Sequence, residues 1–266
     1  MRIGEMKKST IGYVVIVVVL VAAALFYITS QSSAGTLNQY IGVPVNQTFM
    51  LQLQSIANNQ TLASKVGIGV VSGPPTRINA NTLLLNGSPE VLYIGADYCP
   101  YCAAARWGLV LALLRFGNMS NLAFMTSNGS DVDPNTPTFT FSNVTYNSKY
   151  ISFVGREIET RSYQPFQNLT PSESNIFSKF DSAEDIPFID FANYSIQLGA
   201  PFEPKTTLDG HTWAQIATYL SNPSTPQSKA VIGTANIYTA YICEVSKNVP
   251  PICSQPFVKS LQQIYG

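Results

Sequence analysis

Val91-Leu92-Tyr93-Ile94-Gly95-Ala96-Asp97-Tyr98-Cys99-Pro100-Tyr101-Cys102-Ala103-Ala104-Ala105-Arg106-Trp107 is the stretch whose reading decides the fold. Its first four residues are a short apolar run entered through the turn residues Asn86-Gly87-Ser88-Pro89, and they predict a buried strand. From Ala103 to Phe116 the chain predicts a long apolar helix, with Gly117 as its stop. The two cysteines thus fall where a strand passes into a helix. In that setting one sulfur lies at the helix N-terminus and the other one turn inside, close enough for a disulfide to form between them. The helix dipole and the free N–H groups of the first turn favour a thiolate at Cys99, below the free-thiol pKa of about 8.5. Cys99 is therefore expected to be the attacking nucleophile and Cys102 the buried resolving thiol. Pro100 suits the first turn, where its missing N–H has no helical partner to lose. Tyr101 adds no charge. Asp97 opposes a thiolate, and Arg106, one turn beyond Cys102, favours it.

A C-x-x-C can also be half of a zinc site. The other ligands would then come from Cys243, Cys253 and His211, whose spacing matches no zinc module, so no metal is expected. A purely structural Cys99–Cys102 disulfide is the remaining alternative, and the strand-to-helix setting favours redox chemistry over it. Cys243 and Cys253 flank the turn residues Pro250-Pro251 between two helical stretches and read as a structural staple, the alternative being a second pair that exchanges electrons with the first.

Outward from the motif, Leu122 to Thr126 and Tyr150 to Val154 predict strands, and Phe139 and Phe141 alternate as strand residues do in a stretch rich in Asn, Thr, Ser and Pro. A polar insertion around Pro165 to Phe180 carries a short helix from Pro171. Ile186 to Phe191 and Tyr194 to Leu198 predict an antiparallel hairpin. Trp213 to Leu220, Ser228 to Val245 and Phe257 to Ile264 have helical apolar spacing, broken at Asn222-Pro223 and Pro250-Pro251. Upstream, Ser30 to Gly35 is a small polar linker, and Phe49 to Ile56 has the spacing of a short amphipathic helix in what reads as a preamble. Trp107 and Trp213 are expected in the core, and His211 at the surface or at a helix start.

Residues Ile11 to Ile28 are an uncharged, mostly aliphatic run, about the length that crosses a bilayer as a helix. Arg2, Lys7 and Lys8 outweigh Glu5 before it, which predicts a cytoplasmic N-terminus and everything after Thr29 outside. A cleaved signal peptide is the competing reading, since Ser32-Ser33-Ala34 offers small residues at cleavage spacing. Either way the main domain is exported. Acceptor sequons begin at Asn46, Asn59, Asn86, Asn118, Asn128, Asn143, Asn168 and Asn193, more than chance supplies, and support export to a glycosylating compartment. Four cysteines, an even number, suit an oxidising one.

Lys+Arg and Asp+Glu balance at 15 each, so there is no basic stripe to neutralise phosphates and no nucleic-acid partner is expected. Charged residues make up 11% of the chain, against about 25% in an ordinary soluble domain. One expectation is an exterior suited to an acidic medium, where a fold with few paired carboxylates loses little as they protonate. No G-x-G-x-x-G, P-loop or H-E-x-x-H occurs, and no cofactor is expected.

The run from Ile94 to Trp107 resembles a family of thioredoxin-like, membrane-anchored proteins from archaea and some bacteria, catalogued mainly as a domain of unknown function. The similarity continues through Arg115-Phe116-Gly117, Asp133-Pro134-Asn135-Thr136-Pro137-Thr138, Ser148-Lys149-Tyr150-Ile151, Pro187-Phe188 and the C-terminal Cys243 and Cys253. The resemblance implies an α/β thioredoxin-like fold and carries no substrate. In such folds a cis-proline loop lies beside the redox pair, and Pro187 stands where it falls, with a backbone able to pair with an extended substrate. An acidic residue usually precedes the Arg-Trp pair in that family, whereas Ala105 stands here. Cys-Pro-Tyr-Cys is also the glutaredoxin motif, but glutaredoxins are small and cytosolic. Thioredoxin's buried acid falls six residues before the first cysteine, where this chain has Tyr93.

The expected organisation is a cytoplasmic tail (1–10), a transmembrane helix (11–29), a linker and N-terminal extension (30–82), a thioredoxin-like domain (83–222) with an insertion around 130–182, and a C-terminal helical extension (223–266). The expected function is a single-pass, membrane-anchored, extracytoplasmic thiol-disulfide oxidoreductase, an oxidase or isomerase of exported proteins, with a membrane electron-transfer partner as a candidate. The alternatives are a cell-surface scaffold or binding module on the same fold, and a redox or metal chaperone.

Overall fold

A computed structural model describes residues 37–265, and the main body begins at Tyr40. The Ile11–Ile28 run lies outside the described residues. Among those described, no helix is long and apolar enough to cross a membrane. The elements are α1 (Gln47–Ala57), α2 (Gln60–Val66), β1 (Thr76–Arg77), β2 (Leu84–Leu85), β3 (Ser88–Gly95), α3 (Pro100–Leu113), β4 (Gly117–Ser120), β5 (Ala123–Thr126), β6 (Pro137–Thr140), β7 (Thr145–Ser148), β8 (Ser152–Glu157), α4 (Pro171–Phe180), β9 (Phe188–Phe191), β10 (Ser195–Leu198), α5 (Pro204–Thr207), α6 (Trp213–Leu220), α7 (Pro226–Val245), a 3-10 turn (Pro251–Ser254) and α8 (Pro256–Tyr265).

β3 is the centre of a mixed sheet in this α/β architecture. It pairs in parallel with β8, from Glu90 opposite Ser152 to Gly95 opposite Glu157, and antiparallel with β9, from Val91 opposite Phe191 to Ile94 opposite Phe188. β9 and β10 form the expected hairpin, with β1 outside it, and β2 pairs with the start of β3. Buried on both faces, β3 reads as an unbroken apolar run because water reaches neither side of it. One face carries Leu92, Ile94, Phe188 and Ile196 against Ile176 and Phe177 of α4. Each such side chain, fully buried, contributes about 1.5–3 kcal/mol. On the other face Phe191 meets Tyr238 and Tyr241 of α7.

α3 is buried all round except at Tyr101, as a core helix without a polar face must be. It ends at Leu113, earlier than the sequence predicts, and Gly117 does not cap it. The chain leaves through tight turns in which Arg115 N–H bonds Ala112 O and Phe116 N–H bonds Leu113 O, and Gly117 is already paired with Ser148 in β4. The segment between α3 and β8 contains the expected strand at Ala123–Thr126 and more pairing than the sequence predicts. It folds as two ribbons, β4–β7 and β5–β6, and the carbonyls of Pro137 and Thr138 accept the indole N–H groups of Trp107 and Trp213. Both tryptophans are core residues. His211 lies just before α6, its Nε2 3.1 Å from Gln227 Nε2.

The preamble is part of the body. Asn236 of α7 donates to the carbonyls of Ala63 and Gly67, and Arg115 donates to Ala57 O, so side chains far along the chain hold both early helices. Arg115 is buried without a carboxylate, and burial lowers its pKa to about 9. Cys243, near the end of α7, is disulfide-bonded to Cys253 in the 3-10 turn, and both are buried. Of the sequon asparagines, Asn128 and Asn193 donate their side-chain amides within the chain, to Arg161 O in a half-buried bond and to Asn81 O at the surface.

Asp190 is buried and Asp209 half-buried, neither in an ion pair among the described residues. Burial, opposed by the Asn193 N–H bond, pushes Asp190 up to about 7. Asp209 is pushed up to about 6, against the pull of Thr136. A carboxyl raised in the fold binds more protons there than in the unfolded chain. Its contribution is fully present below its unfolded value and is lost as pH rises through the folded one. The urea midpoint is therefore expected to correspond to at least about 1 kcal/mol more stability at pH 5 than at pH 7.5. A midpoint that falls on acidification to pH 5 would contradict this account and the acid-tolerant exterior together.

Candidate functional site

Strand β3 ends at Gly95, and Ala96-Asp97-Tyr98 carry the chain to Cys99, which is the N-cap of α3. Cys99 has extended backbone angles and its sulfur accepts the Cys102 N–H at 3.1 Å, as a capping oxygen does in other helices. Pro100 occupies the first helical turn. Tyr101 is the exposed member, at 42%, whereas Cys99 shows 3% of its surface and Cys102 none. Neither sulfur is tied to Cys243 or Cys253.

Ala96, Cys99 and Cys102 form a small apolar nest covered by Tyr98, Ile158 and Ile186. Ile186 is the residue before Pro187, and the peptide bond between them is cis. The β9 entry is held by Gly199 N–H on Pro187 O at 2.9 Å. Cys99, Pro100, Tyr101, Cys102 and Arg106, at the N-terminal end of α3, are thus brought together with the Pro187 loop that enters β9. The Cys243–Cys253 disulfide belongs to the α7–α8 connection.

The two thiols are electrostatically unequal. Burial pushes Cys99 up, but hydrogen bonds from the Cys102 thiol and from the Cys102 and Tyr101 N–H groups, with Arg106 nearby, outweigh it and leave Cys99 lowered. Burial and the neighbouring Cys99 sulfur hold Cys102 well above the ordinary thiol range. One sulfur is suited to attack or leave as thiolate, and the other to keep its proton until it is needed.

Arg106 does more than face the thiols. It is wholly buried, donating through Nη2 to Ala96 O at 2.6 Å and forming a two-bond pair with Glu157 of β8, Nε to Oε1 at 3.0 Å and Nη2 to Oε2 at 2.5 Å. Glu157 Oε1 also accepts the Phe141 N–H at 3.0 Å. Burial raises Glu157 to about 7 against the pull of Arg106, and burial likewise raises Asp97. Tyr93 OH, Asp97 Oδ1 and Arg106 Nη1 are buried with no hydrogen-bond partner within the described chain. Sequence reasoning missed Glu157. Its signal was a lone acid inside the run Phe153-Val154-Gly155-Arg156-Glu157-Ile158, and only the parallel register placing Glu157 beside Gly95 brings it to the cysteines. Ala105 is fully buried, so an acid in its place would also be interior.

Among the described residues no three His, Cys, Asp or Glu side chains group as a metal site. A cavity of about 490 Å³ is lined by Arg77, Asn79, Tyr194, Glu244 and Lys247 among others, none of them a member of the cysteine site.

The fold and site define a mixed α/β protein with a helix-capping Cys-x-x-Cys. The family described as Domain of unknown function (DUF929) matches residues 74–244, well over half of the chain, and the chain belongs to that family. The match contains the cysteine pair, Glu157, Pro187 and Cys243. No curated protein and no solved structure matches the chain.

Proposed function

We propose that this protein is a thiol-disulfide oxidoreductase on a thioredoxin-like framework, anchored by its N-terminal apolar run and acting on exported proteins. With the two ribbons after α3 and the helices α5 and α6 after β10 set aside as insertions, the order β3–α3–β8–α4–β9–β10–α7, with β3 and β8 parallel and the hairpin antiparallel, supports a thioredoxin-like framework. The observation that carries the reading is Cys99 capping α3 with its sulfur on the Cys102 N–H while the Ile186–Pro187 loop packs against the pair. The Cys243–Cys253 disulfide fits an oxidising compartment, and the apolar run and the sequons support export.

In the oxidising direction a substrate thiolate attacks the Cys99 sulfur of the Cys99–Cys102 disulfide. The S–S bond breaks, and Cys102 leaves with the electron pair and takes a proton. A second substrate thiolate then attacks the substrate sulfur of the mixed disulfide and expels Cys99 as thiolate. The substrate has lost two electrons and the pair has gained them. A lowered thiol pKa makes Cys99 the better leaving group, which favours this direction. A membrane electron acceptor would return the pair to its disulfide.

The test is the reduction potential of Cys99–Cys102 in the full-length chain, equilibrated against glutathione and dithiothreitol buffers and read by thiol trapping. The expected value is about −180 mV or higher, the range of isomerases and oxidases. A bond that resists reduction below about −300 mV would be structural and would end the redox reading.

A further inference from the structure

Among the described residues the cation that acts on both Cys99 and Cys102 is Arg106, and it is already engaged. Arg106 lies one helical turn beyond Cys102 and donates to Ala96 O in the nest that holds both sulfurs, and its guanidinium is bonded at Nε and Nη2 to the buried carboxylate of Glu157. We infer that Glu157 is a positioning residue for the cysteine pair: through Arg106 it sets how much positive charge the sulfurs feel, so that ionisation of Glu157 opposes formation of the Cys99 thiolate. The inference rests on the redox reading of the pair.

With Glu157 ionised, the ion pair presents little net charge toward the thiols. With Glu157 protonated, Arg106 faces them as an uncompensated cation. No part of the Arg106 or Glu157 side chain is exposed, so water does not screen the difference. The other charged or titratable groups around Glu157 are Asp97 from the β3–α3 turn and Tyr93 from β3, with Cys102 beside Arg106 on α3. Phe141 contributes a backbone N–H, and Gln167 bonds the Glu157 backbone N–H rather than its carboxyl. Burial, with Asp97 adding to it, raises Glu157 to about 7 and so brings its ionisation toward the range where the thiols also titrate. Two anions that compete for one cation titrate against each other, and the coupling is reciprocal.

Reciprocity supplies a test on the unmodified full-length chain. Glutamate labelled with ¹³C at the carboxyl is titrated by NMR in the oxidised and reduced proteins, the Glu157 signal being assigned by its loss in Glu157→Gln. Glu157 is expected to titrate at least about 0.5 pH units higher in the reduced protein, where the Cys99 thiolate draws on Arg106. Equal midpoints would overturn the inference. In a second readout, the rate of Cys99 alkylation by iodoacetamide is followed against pH. The wild type is expected to give a broadened curve, and Glu157→Gln a single ionisation with its midpoint about one unit lower. Superimposable curves would also overturn the inference while leaving the redox reading intact. If Cys99 stays unreactive from pH 5 to 10, the redox reading itself fails. Should Glu157→Gln not fold, the oxidised–reduced difference in the wild type still decides, with its signal assigned by through-bond correlation.

Discussion

Cys99→Ser is expected to lower disulfide exchange on a scrambled or reduced protein substrate by at least ~1000-fold, with the fold unchanged. Serine can still cap α3 with its oxygen, so the helix keeps its N-terminal acceptor while the nucleophile and leaving group are lost. Cys102→Ser behaves differently. Cys99 still reacts, but nothing resolves the product, and a substrate mixed disulfide is expected to accumulate on non-reducing gels. The pair of results separates chemistry from structure: full activity of Cys99→Ser in the cell would instead favour a scaffold that uses the Pro187 loop without exchanging electrons.

The second large effect is on stability. Arg106→Met leaves the Glu157 carboxylate buried beside Asp97 with its cation gone, and breaking a buried pair from one side costs about 3–5 kcal/mol. The double variant Arg106→Met/Glu157→Gln removes the stranded charge yet keeps an acceptor for the Phe141 N–H, so it is expected to recover more than half of that loss in urea unfolding. The deficit of the single variant also has a sign with pH. Without Arg106 the carboxyl binds its proton more tightly, so the deficit shrinks on going from pH 8 to pH 5 as Glu157 becomes neutral. A single variant within about 1 kcal/mol of wild type would mean that water reaches Glu157 in solution.

Local patterns carried much of the architecture. The strand before Cys99, the helix after it, the Ile186–Leu198 hairpin, the Pro171 helix and the C-terminal helices are written in apolar spacing, caps and turn residues, because each depends on neighbours a few positions away. Chain features that depend on distant partners were not legible. Gly117 looks like a helix stop by type and is a strand residue by pairing, since Ser148, not α3, decides its conformation. Of the two ribbons between Gly117 and Ser148, β5–β6 showed in the Leu122–Thr126 run and the Phe139/Phe141 alternation, whereas β4–β7 is short and polar and has no apolar run to stand out. Gln60–Val66 passed as preamble because what makes it a helix with a place is Asn236, more than 160 residues away.

The site divides along the same line. By itself the sequence determined which sulfur caps the helix and which lies one turn inside it, since three-residue spacing at a strand-to-helix turn leaves one arrangement, and it marked Pro187 and the separate Cys243–Cys253 pair. Only the tertiary structure decided the charge around the sulfurs. Arg106 was visible as a cation near Cys102, but whether it acts as one depends on Glu157, which lies 51 residues on in the chain and one hydrogen bond away in space. The parallel register of β3 and β8 makes that contact, and burial gives it weight, because a charge removed from water keeps its full effect on the groups beside it.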